Sequence, residues 1–198
     1  MTTKAERTSA YIIEKVAPIF NKQGYIGTSM SDLTDATGLT KGALYGNFEN
    51  KESLALEAFE YHSKILLAAI DKCLSGSGNA LDAIIRLTDF YRHYDEFTAP
   101  MGGCPILNVG VDALYNNKPL EGAAREVLRT IEGKIALVLE NGVNKGELKL
   151  PVPPLQFAKQ LFTMIQGAIA MATISGDRKY LINTIAYLDV LVNKEIKK

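Results

Sequence analysis

The chain has 198 residues, of which 47% are hydrophobic and 22% are charged, and its 22 basic residues balance 22 acidic ones. This apolar fraction excludes a disordered chain. The zero net charge excludes a polybasic protein that coats nucleic acid or membrane without selectivity, but a local basic patch remains sufficient for DNA binding. At about 150 residues per domain, the length suggests one domain, or a small domain joined to a larger one.

The cellular setting is indicated by the cysteines and by the N-terminus. Two cysteines do not form a disulfide framework, and the polar start of the chain lacks the apolar segment of a secretory signal. We therefore expect a cytoplasmic protein. The longest uncharged stretch, Gln160 to Gly176, is shorter than the roughly 20 residues that span a bilayer. We interpret it as a buried helix and expect no membrane association.

Helical periodicity runs along almost the whole chain and predicts an all-α fold of about nine helices. The first helix opens with a capping-box pattern from Thr3 to Glu6 and ends at Gly24. Two very short helical units follow, joined by a tight turn. Ser29 caps the first unit and Gly38 stops it. The second unit begins near Thr40.

A long helix is then predicted from its cap at Asn50 to about Cys73, followed by the linker Ser75–Asn79. We therefore divide the chain into residues 1–50, a connecting helix at 51–74 and a larger domain at 75–198. Further helices are predicted near residues 79–97, 104–115, 119–145, 155–175 and 177–197.

Two short helices joined by a glycine-containing turn have the geometry of a helix-turn-helix, which completes a three-helix unit with the first helix. The apolar side chains of this segment supply its small core, and we assign Ile26, Met30, Leu33, Ala36, Leu39, Leu44 and Phe48 to it. The second helix then presents a cation, hydrogen-bonding groups and small residues outward, namely Thr40, Lys41, Gly42, Ala43, Tyr45 and Asn47. A DNA groove requires such a surface.

Three further residues are candidates for contacts to phosphate. Lys51 begins the long helix, where it is either a solvated cation or a phosphate ligand beside the second short helix. Thr28 and Ser29 are helix caps whose hydroxyls can also bind phosphate at a helix N-terminus.

The run GYIGTSMSDLTDATGLTKGALYGNFENKESL closely resembles the DNA-binding segment of TetR-family transcriptional regulators. The matching positions are Gly24, Tyr25, Thr28, Ser29, Asp32, Gly38, Lys41, Gly42, Leu44, Tyr45, Phe48, Lys51 and Glu52. The resemblance implies a homodimer that binds a palindromic double-stranded DNA operator, and a ligand-responsive repressor that a small-molecule effector releases. Gly46 and Asn47 depart from the family, in which aromatic or histidine residues are common there.

The larger domain carries no strong motif. Its helices hold aromatic and sulfur-containing side chains that either form ordinary core or line an effector pocket, and the candidates for such a pocket are Phe90, Tyr91, Tyr94, Met101, Cys104, Phe157, Met164 and Gln166. The last two helices carry small residues and an apolar seam that suit internal packing and a dimer interface equally, with Gly167, Ala168, Leu181, Ile185, Leu188 and Val192 as candidates.

Cys104 precedes Pro105, which favours the first position of a helix and makes Cys104 its N-cap. A thiol at that position can have a lowered pKa and sense electrophiles, whereas a small buried residue is the structural alternative.

Enzymatic residues are not indicated. The motif of His93, Asp95 and Glu96 lacks a second histidine or cysteine at ligand spacing, so we expect no metal site, no cofactor and no enzyme. Two alternatives remain open, a helical adaptor whose helix-turn-helix binds protein and a helical enzyme with its site in the larger domain.

Overall fold

The computed structural model describes residues 3–76 and 78–197, so Ser77 of the predicted linker lies outside the described residues. Within them it contains α-helices and short helical turns, with one isolated bridge between Leu148 and Lys197 and no β-strand. The helices are α1 Lys4–Gly27, α2 Met30–Thr37, α3 Lys41–Tyr45, α4 Lys51–Leu74, α5 Ala80–Arg92, α6 Tyr94–Thr98, α7 Pro105–Asn116, α8 Lys118–Asn144, α9 Pro154–Ser175 and α10 Lys179–Leu191. The predicted all-α fold is confirmed.

The helix starts predicted from capping residues agree with the structure. Thr3 accepts a hydrogen bond from the backbone of Glu6, whose side chain accepts one from Thr3 in return. Asn50 accepts one from the backbone of Ser53 at the start of α4. These side chains satisfy backbone donors that have no partner inside the helix, which is why they mark helix starts in the sequence.

The end of α1 differs from the expectation. Gly24 has φ 77° and ψ 170°, so the regular helix is interrupted there and only one further turn follows. The interruption changes the direction in which the following side chains point. Ile26, which we assigned to the core, is therefore 64% exposed.

The helix predicted near residues 79–97 is broken. Asn79 caps α5, which ends at Arg92, and α6 begins at Tyr94 after the non-helical His93. A short 3₁₀ turn at Ala99–Met101 follows α6. The last predicted helix also ends early, because α10 gives way to a π-helical turn at Val192–Ile196.

Packing groups the chain into two compact units. Residues up to Leu66 pack with Thr98–Val127, and Leu67–Phe97 pack with residues from Leu128 onward. The functional division at residues 50 and 74 stays a prediction, because packing alone does not test it.

The first unit has an apolar core that brings α1, α2, α3 and α4 together with α7. Its most deeply buried members include Ile12, Val16, Leu33, Leu44 and Ala113, all at most 1% exposed. Burial of the inward side chains of two short helices holds them in place, since neither α2 nor α3 is long enough to be stable alone. The three-helix unit is therefore a rigid support for the outward face of α3.

Within the second unit, a polar network connects α5 to α10. Asp189 accepts hydrogen bonds from the hydroxyl of Thr88, at 2.7 Å, and from the guanidinium of Arg92. Because Thr88 is 1% exposed, this network satisfies groups that burial removes from water.

His62 of α4 provides a test of the packing of the first unit. Its side chain is 3% exposed, and burial lowers its pKa to about 4 from the ordinary value of 6.5. Between about pH 4 and 6.5, the imidazole ring is therefore neutral in the folded state and protonated in the unfolded chain. This difference in pKa does not reduce the free energy of unfolding above about pH 6.5. We expect it to reduce that free energy by about 3 kcal/mol as the pH falls to about 4.

Urea unfolding of the parent and of His62→Gln across this pH range measures the effect. The variant should lack this part of the pH dependence, while the carboxylates titrate in both proteins. Equal loss of stability in the two proteins would show that His62 does not cause it.

Candidate nucleic-acid interface

Capping residues define the ends of α2 and α3 and the turn between them. Ser29 and Asp32 form a reciprocal capping box at the start of α2, and these hydrogen bonds lower the pKa of the Asp32 carboxyl. Gly38 ends α2 with φ 66°, a left-handed conformation that glycine adopts without strain. Thr40 caps α3 by accepting a hydrogen bond from the Ala43 backbone. The helix-turn-helix predicted from the sequence is therefore present.

The outward face of α3 contains most of the predicted recognition residues. Thr40, Lys41 and Gly42 are exposed, Tyr45 is 41% exposed, and Ala43 is half-buried. The Lys41 ammonium lies over the Tyr45 ring, 5.7 Å from its centroid. The face therefore offers a cation and an aromatic ring beside small residues, which allow close approach to a groove.

Asn47 has a different position from the one expected. Its amide donates to the Ala43 carbonyl at 2.8 Å, and its oxygen accepts from the Ser9 hydroxyl at 3.3 Å. The side chain is half-buried and closes the C-terminal end of α3. These bonds give Asn47 a structural role after the short helix, and its predicted DNA contact stays a prediction.

Thr28 and Ser29 differ in their exposure to solvent. Thr28 is 1% exposed, and its hydroxyl donates to the Gly24 carbonyl at 2.7 Å, so its side chain holds the turn and does not face solvent. Ser29 is exposed at the N-terminus of α2, and the phosphate contact predicted for it stays a prediction.

Lys51 lies at the first position of α4, and its ammonium is turned toward Tyr25. The Nζ atom is 2.5 Å from the Tyr25 carbonyl oxygen and 4.5 Å from the centroid of its ring. Burial lowers the pKa of Lys51, while Asp112 and Asp32 act in the opposite direction. An ammonium carries three donors, so the bond to Tyr25 leaves others for a phosphate.

Tyr11 of α1 contacts the end of α2, a contact that the sequence did not predict. It is 43% exposed, donates a hydrogen bond from its hydroxyl to the Thr37 carbonyl at 3.1 Å, and has Lys15 beside its ring. Its partner lies 26 positions away in the sequence, so no local pattern marks it.

Two family descriptions match the chain. The one for bacterial regulatory proteins of the tetR family matches residues 12–58, which contain the helix-turn-helix, and the one for the tetracyclin repressor-like C-terminal domain matches residues 80–188. The chain belongs to the TetR family. It is therefore a DNA-binding transcriptional regulator of the kind that the sequence motif indicated.

Individual TetR-family proteins are similar over nearly the full length. The transcriptional regulator YxaF of Bacillus subtilis is 26% identical over 93% of this chain and 94% of its own. The repressor DhaR of a Mycobacterium species is 27% identical over 86% and 85%. The crystal structure of a TetR regulator from Chloroflexus aurantiacus matches with a TM-score of 0.92 and 31% identity, over 98% of both chains.

The candidate effector residues of this TetR-family chain fall into separate groups. Phe90, Tyr91 and Tyr94 pack with Phe97 and Phe162 at ring-centroid separations of 4.9–6.1 Å. These rings lie in the second compact unit, as does Gln166, which is half-buried on α9. Phe157 and Met164 line an open, mostly apolar groove of about 640 Å³ that also includes Tyr187 and Leu191.

Met101 and Cys104 belong to the first unit. Cys104 is 4% exposed at the N-cap of α7, where its side chain makes no capping hydrogen bond, and Pro105 occupies the first helical position as predicted. This burial favours the structural alternative for Cys104. Burial raises the pKa of the other cysteine, Cys73.

Most of the residues predicted for a dimer interface are buried within the chain itself. Leu181, Ile185, Leu188 and Val192 are at most 2% exposed and belong to the core of their own chain, and Ala168 is 6% exposed. Gly167 alone is exposed, with open space beyond it. The apolar seam of α10 is therefore an internal packing face.

The side chains near His93 are engaged in ways that do not involve a metal. Arg178 binds Asp95 and Glu96, each at 2.9 Å, and a ring nitrogen of His93 lies 3.3 Å from the Asp89 carbonyl oxygen. Among residues 3–76 and 78–197, no group of three His, Cys, Asp or Glu side chains is arranged to hold a metal ion, and no helix is long and apolar enough to cross a membrane.

Proposed function

We propose that this TetR-family chain is a repressor that binds a palindromic operator as a homodimer and is released by a small-molecule effector. The observation that carries the proposal is the outward face of α3, where Lys41 and Tyr45 project from a capped helix held on a buried core. In this proposal the N-terminal part of α3 enters the major groove, with Lys41 and Tyr45 contacting bases and Ser29 and Lys51 contacting phosphates.

A dimer surface on the second unit is proposed on residues other than those predicted from the sequence. Large apolar side chains are exposed on α9 and α10, and they recur at helical spacing, namely Met171, Ile174, Tyr180, Tyr187 and Val190 at 46–79% exposure. We call these five residues the outer α9–α10 surface. The helices α9 and α10 pack against each other, and exposed apolar patches mark protein–protein interfaces. A second copy of the chain would bury this surface, because oligomers of soluble proteins are mostly symmetric dimers.

The effector is proposed to be a small, largely apolar molecule that binds the second unit near the aromatic cluster of Phe90, Tyr91 and Tyr94. Aromatic walls with a few hydroxyl and amide groups suit such a ligand. Release from DNA requires the effector to bind the released conformation more tightly than the DNA-bound one. The cytoplasmic location expected from the sequence remains part of this proposal.

Removing the Lys51 ammonium tests the proposed phosphate contact. We expect Lys51→Ala to weaken binding to all DNA sequences alike and to reduce the slope of log affinity against log salt concentration by about one. Fluorescence anisotropy with an operator duplex selected from a random pool, and with a scrambled duplex, measures both effects. An unchanged slope would show that Lys51 does not contact phosphate in the complex.

The alternative of a helical adaptor is distinguished by the same titration. An adaptor would show no sequence-selective, salt-dependent binding to duplex DNA. The alternative of a helical enzyme receives no support from the relatives, which are transcriptional regulators.

A further inference from the structure

In the first unit, two polar side chains of α7 bind two backbone groups of α1. Asn21 and Tyr25 are one turn apart on α1, and Asn108 and Asp112 are one turn apart on α7. The Asn108 amide donates to the Asn21 carbonyl at 3.0 Å, and an Asp112 carboxylate oxygen accepts the Tyr25 N–H at 2.7 Å.

These pairs surround the point at which Gly24 interrupts α1. In an unbroken helix, the Tyr25 N–H would donate to the Asn21 carbonyl. The conformation of Gly24 turns the chain out of the helix. The side chains of Asn108 and Asp112 then bind the two backbone groups that the interruption separates, and buried or half-buried backbone groups require such partners.

The approach of Asp112 depends on glycine at position 24. A Cβ atom there would lie 2.6 Å from a carboxylate oxygen of Asp112, and a Cβ atom essentially never comes that close to an atom to which it is not bonded. The hydrogen bond to Tyr25 is charge-assisted, which makes it stronger than a bond between neutral groups. Asp112 thus fixes the backbone at the end of α1.

Tyr25 passes this constraint on to α4. Its carbonyl and its ring hold the Lys51 ammonium, at 2.5 Å and 4.5 Å respectively. A single residue therefore binds an anion of α7 through its N–H and a cation of α4 through its carbonyl and ring. The position of the Lys51 charge follows from the position of Tyr25.

We propose that Asp112 is a positioning residue of the DNA-binding surface: by holding Tyr25, it sets where the Lys51 ammonium meets a DNA phosphate. The inference rests on the phosphate contact proposed above for Lys51. It assigns a role in DNA affinity to a residue of α7, far from the helix-turn-helix in the sequence.

The test measures affinity for a selected operator duplex over a range of salt concentrations, in the parent and in Asp112→Ala, Lys51→Ala and the double variant. We expect Asp112→Ala to weaken DNA binding about tenfold, because the charge-assisted hydrogen bond from Lys51 to phosphate is lost. We also expect it to reduce the slope of log affinity against log salt concentration by about one, as Lys51→Ala does. The double variant should bind no more weakly than Lys51→Ala.

Two controls separate positioning from general damage. Asp112→Asn keeps an oxygen that accepts the Tyr25 N–H, so it should restore the parental slope. Asn116→Ala removes an exposed side chain of α7 whose amide donates to the backbone carbonyl of Asp112 within the same helix, and should have no effect. Circular dichroism checks that each variant is folded, and Asp112→Glu, which displaces the carboxylate, replaces Asp112→Ala if the latter does not fold.

The results separate the positioning role of Asp112 from the phosphate contact proposed for Lys51. A parental slope in Lys51→Ala would overturn both the phosphate contact and the role of Asp112. A reduced slope in Lys51→Ala, together with a parental slope in Asp112→Ala or with losses that multiply in the double variant, would overturn only the positioning role.

Discussion

Replacing Leu188 by Glu is expected to unfold the second unit, whereas replacing its neighbour Tyr187 by Glu is expected to give a folded monomer. Leu188 is 0% exposed and Tyr187 is 57% exposed, so the two variants place the same charge in the core and on the outer α9–α10 surface. An unpaired carboxylate in an apolar core costs roughly 5 kcal/mol or more, comparable to the whole stability of a domain. In Tyr187→Glu the same carboxylate stays in contact with water in the monomer and is unfavourable only when a second copy buries the outer α9–α10 surface.

Sedimentation velocity and circular dichroism measure the two effects. Tyr187→Glu should sediment as a monomer with parental helix content and should lose specific operator binding, because one recognition helix then binds alone. Asn141→Glu, which adds a charge at an exposed position of α8, is the matched control and should remain a dimer. A stable dimer of Tyr187→Glu, or a parental monomer at micromolar concentration, would show that the outer α9–α10 surface does not form the interface.

Truncating the outward side chains of α3 should have the second large effect. We expect Lys41→Ala and Tyr45→Ala each to weaken operator binding roughly 5- to 150-fold, since a good base contact contributes about 1–3 kcal/mol. Both should also change which operator is preferred, unlike Lys51→Ala. Because Lys41 lies over the Tyr45 ring, the double variant should lose less than the product of the single losses.

Anisotropy titrations and a repeated operator selection with each variant check this expectation. Lys64→Ala removes a cation from an exposed position of α4 and should bind as the parent does. Parental affinity and preference in both α3 variants would mean that another surface recognises DNA.

Local patterns in the sequence identified the parts of the fold that local chemistry determines. Thr3, Ser29 and Asn50 were identifiable because a capping side chain bonds to a backbone group within three residues of itself. Gly38 was identifiable because a left-handed residue after a short helix favours glycine. These residues locate the helix-turn-helix and hence the candidate interface.

The residues proposed here for a dimer surface differ from those predicted from the sequence, because α10 is apolar on two faces. Leu181, Ile185 and Leu188 form one face, and Tyr180 and Tyr187 contribute to the other. Periodicity shows both faces but cannot show which of them packs against the same chain.

Long-range polar contacts were missed for a related reason. Asp112 binds Tyr25 across 87 positions of sequence, and no local spacing marks either residue as a partner of the other. The misplacement of Ile26 has the same origin, because Gly24 was recognised as a stop but the direction of the chain beyond it depends on contacts with α7.

Footprinting of guanine N7 on a selected operator tests the central claim most directly. If a dimer inserts α3 of each copy into the major groove, dimethyl sulfate protection should appear in two clusters related by a two-fold axis. Their centres should lie about 10 base pairs apart or somewhat more, with both clusters lost in Tyr187→Glu. A single cluster in the parent protein, or no protection of the major groove, would contradict the account.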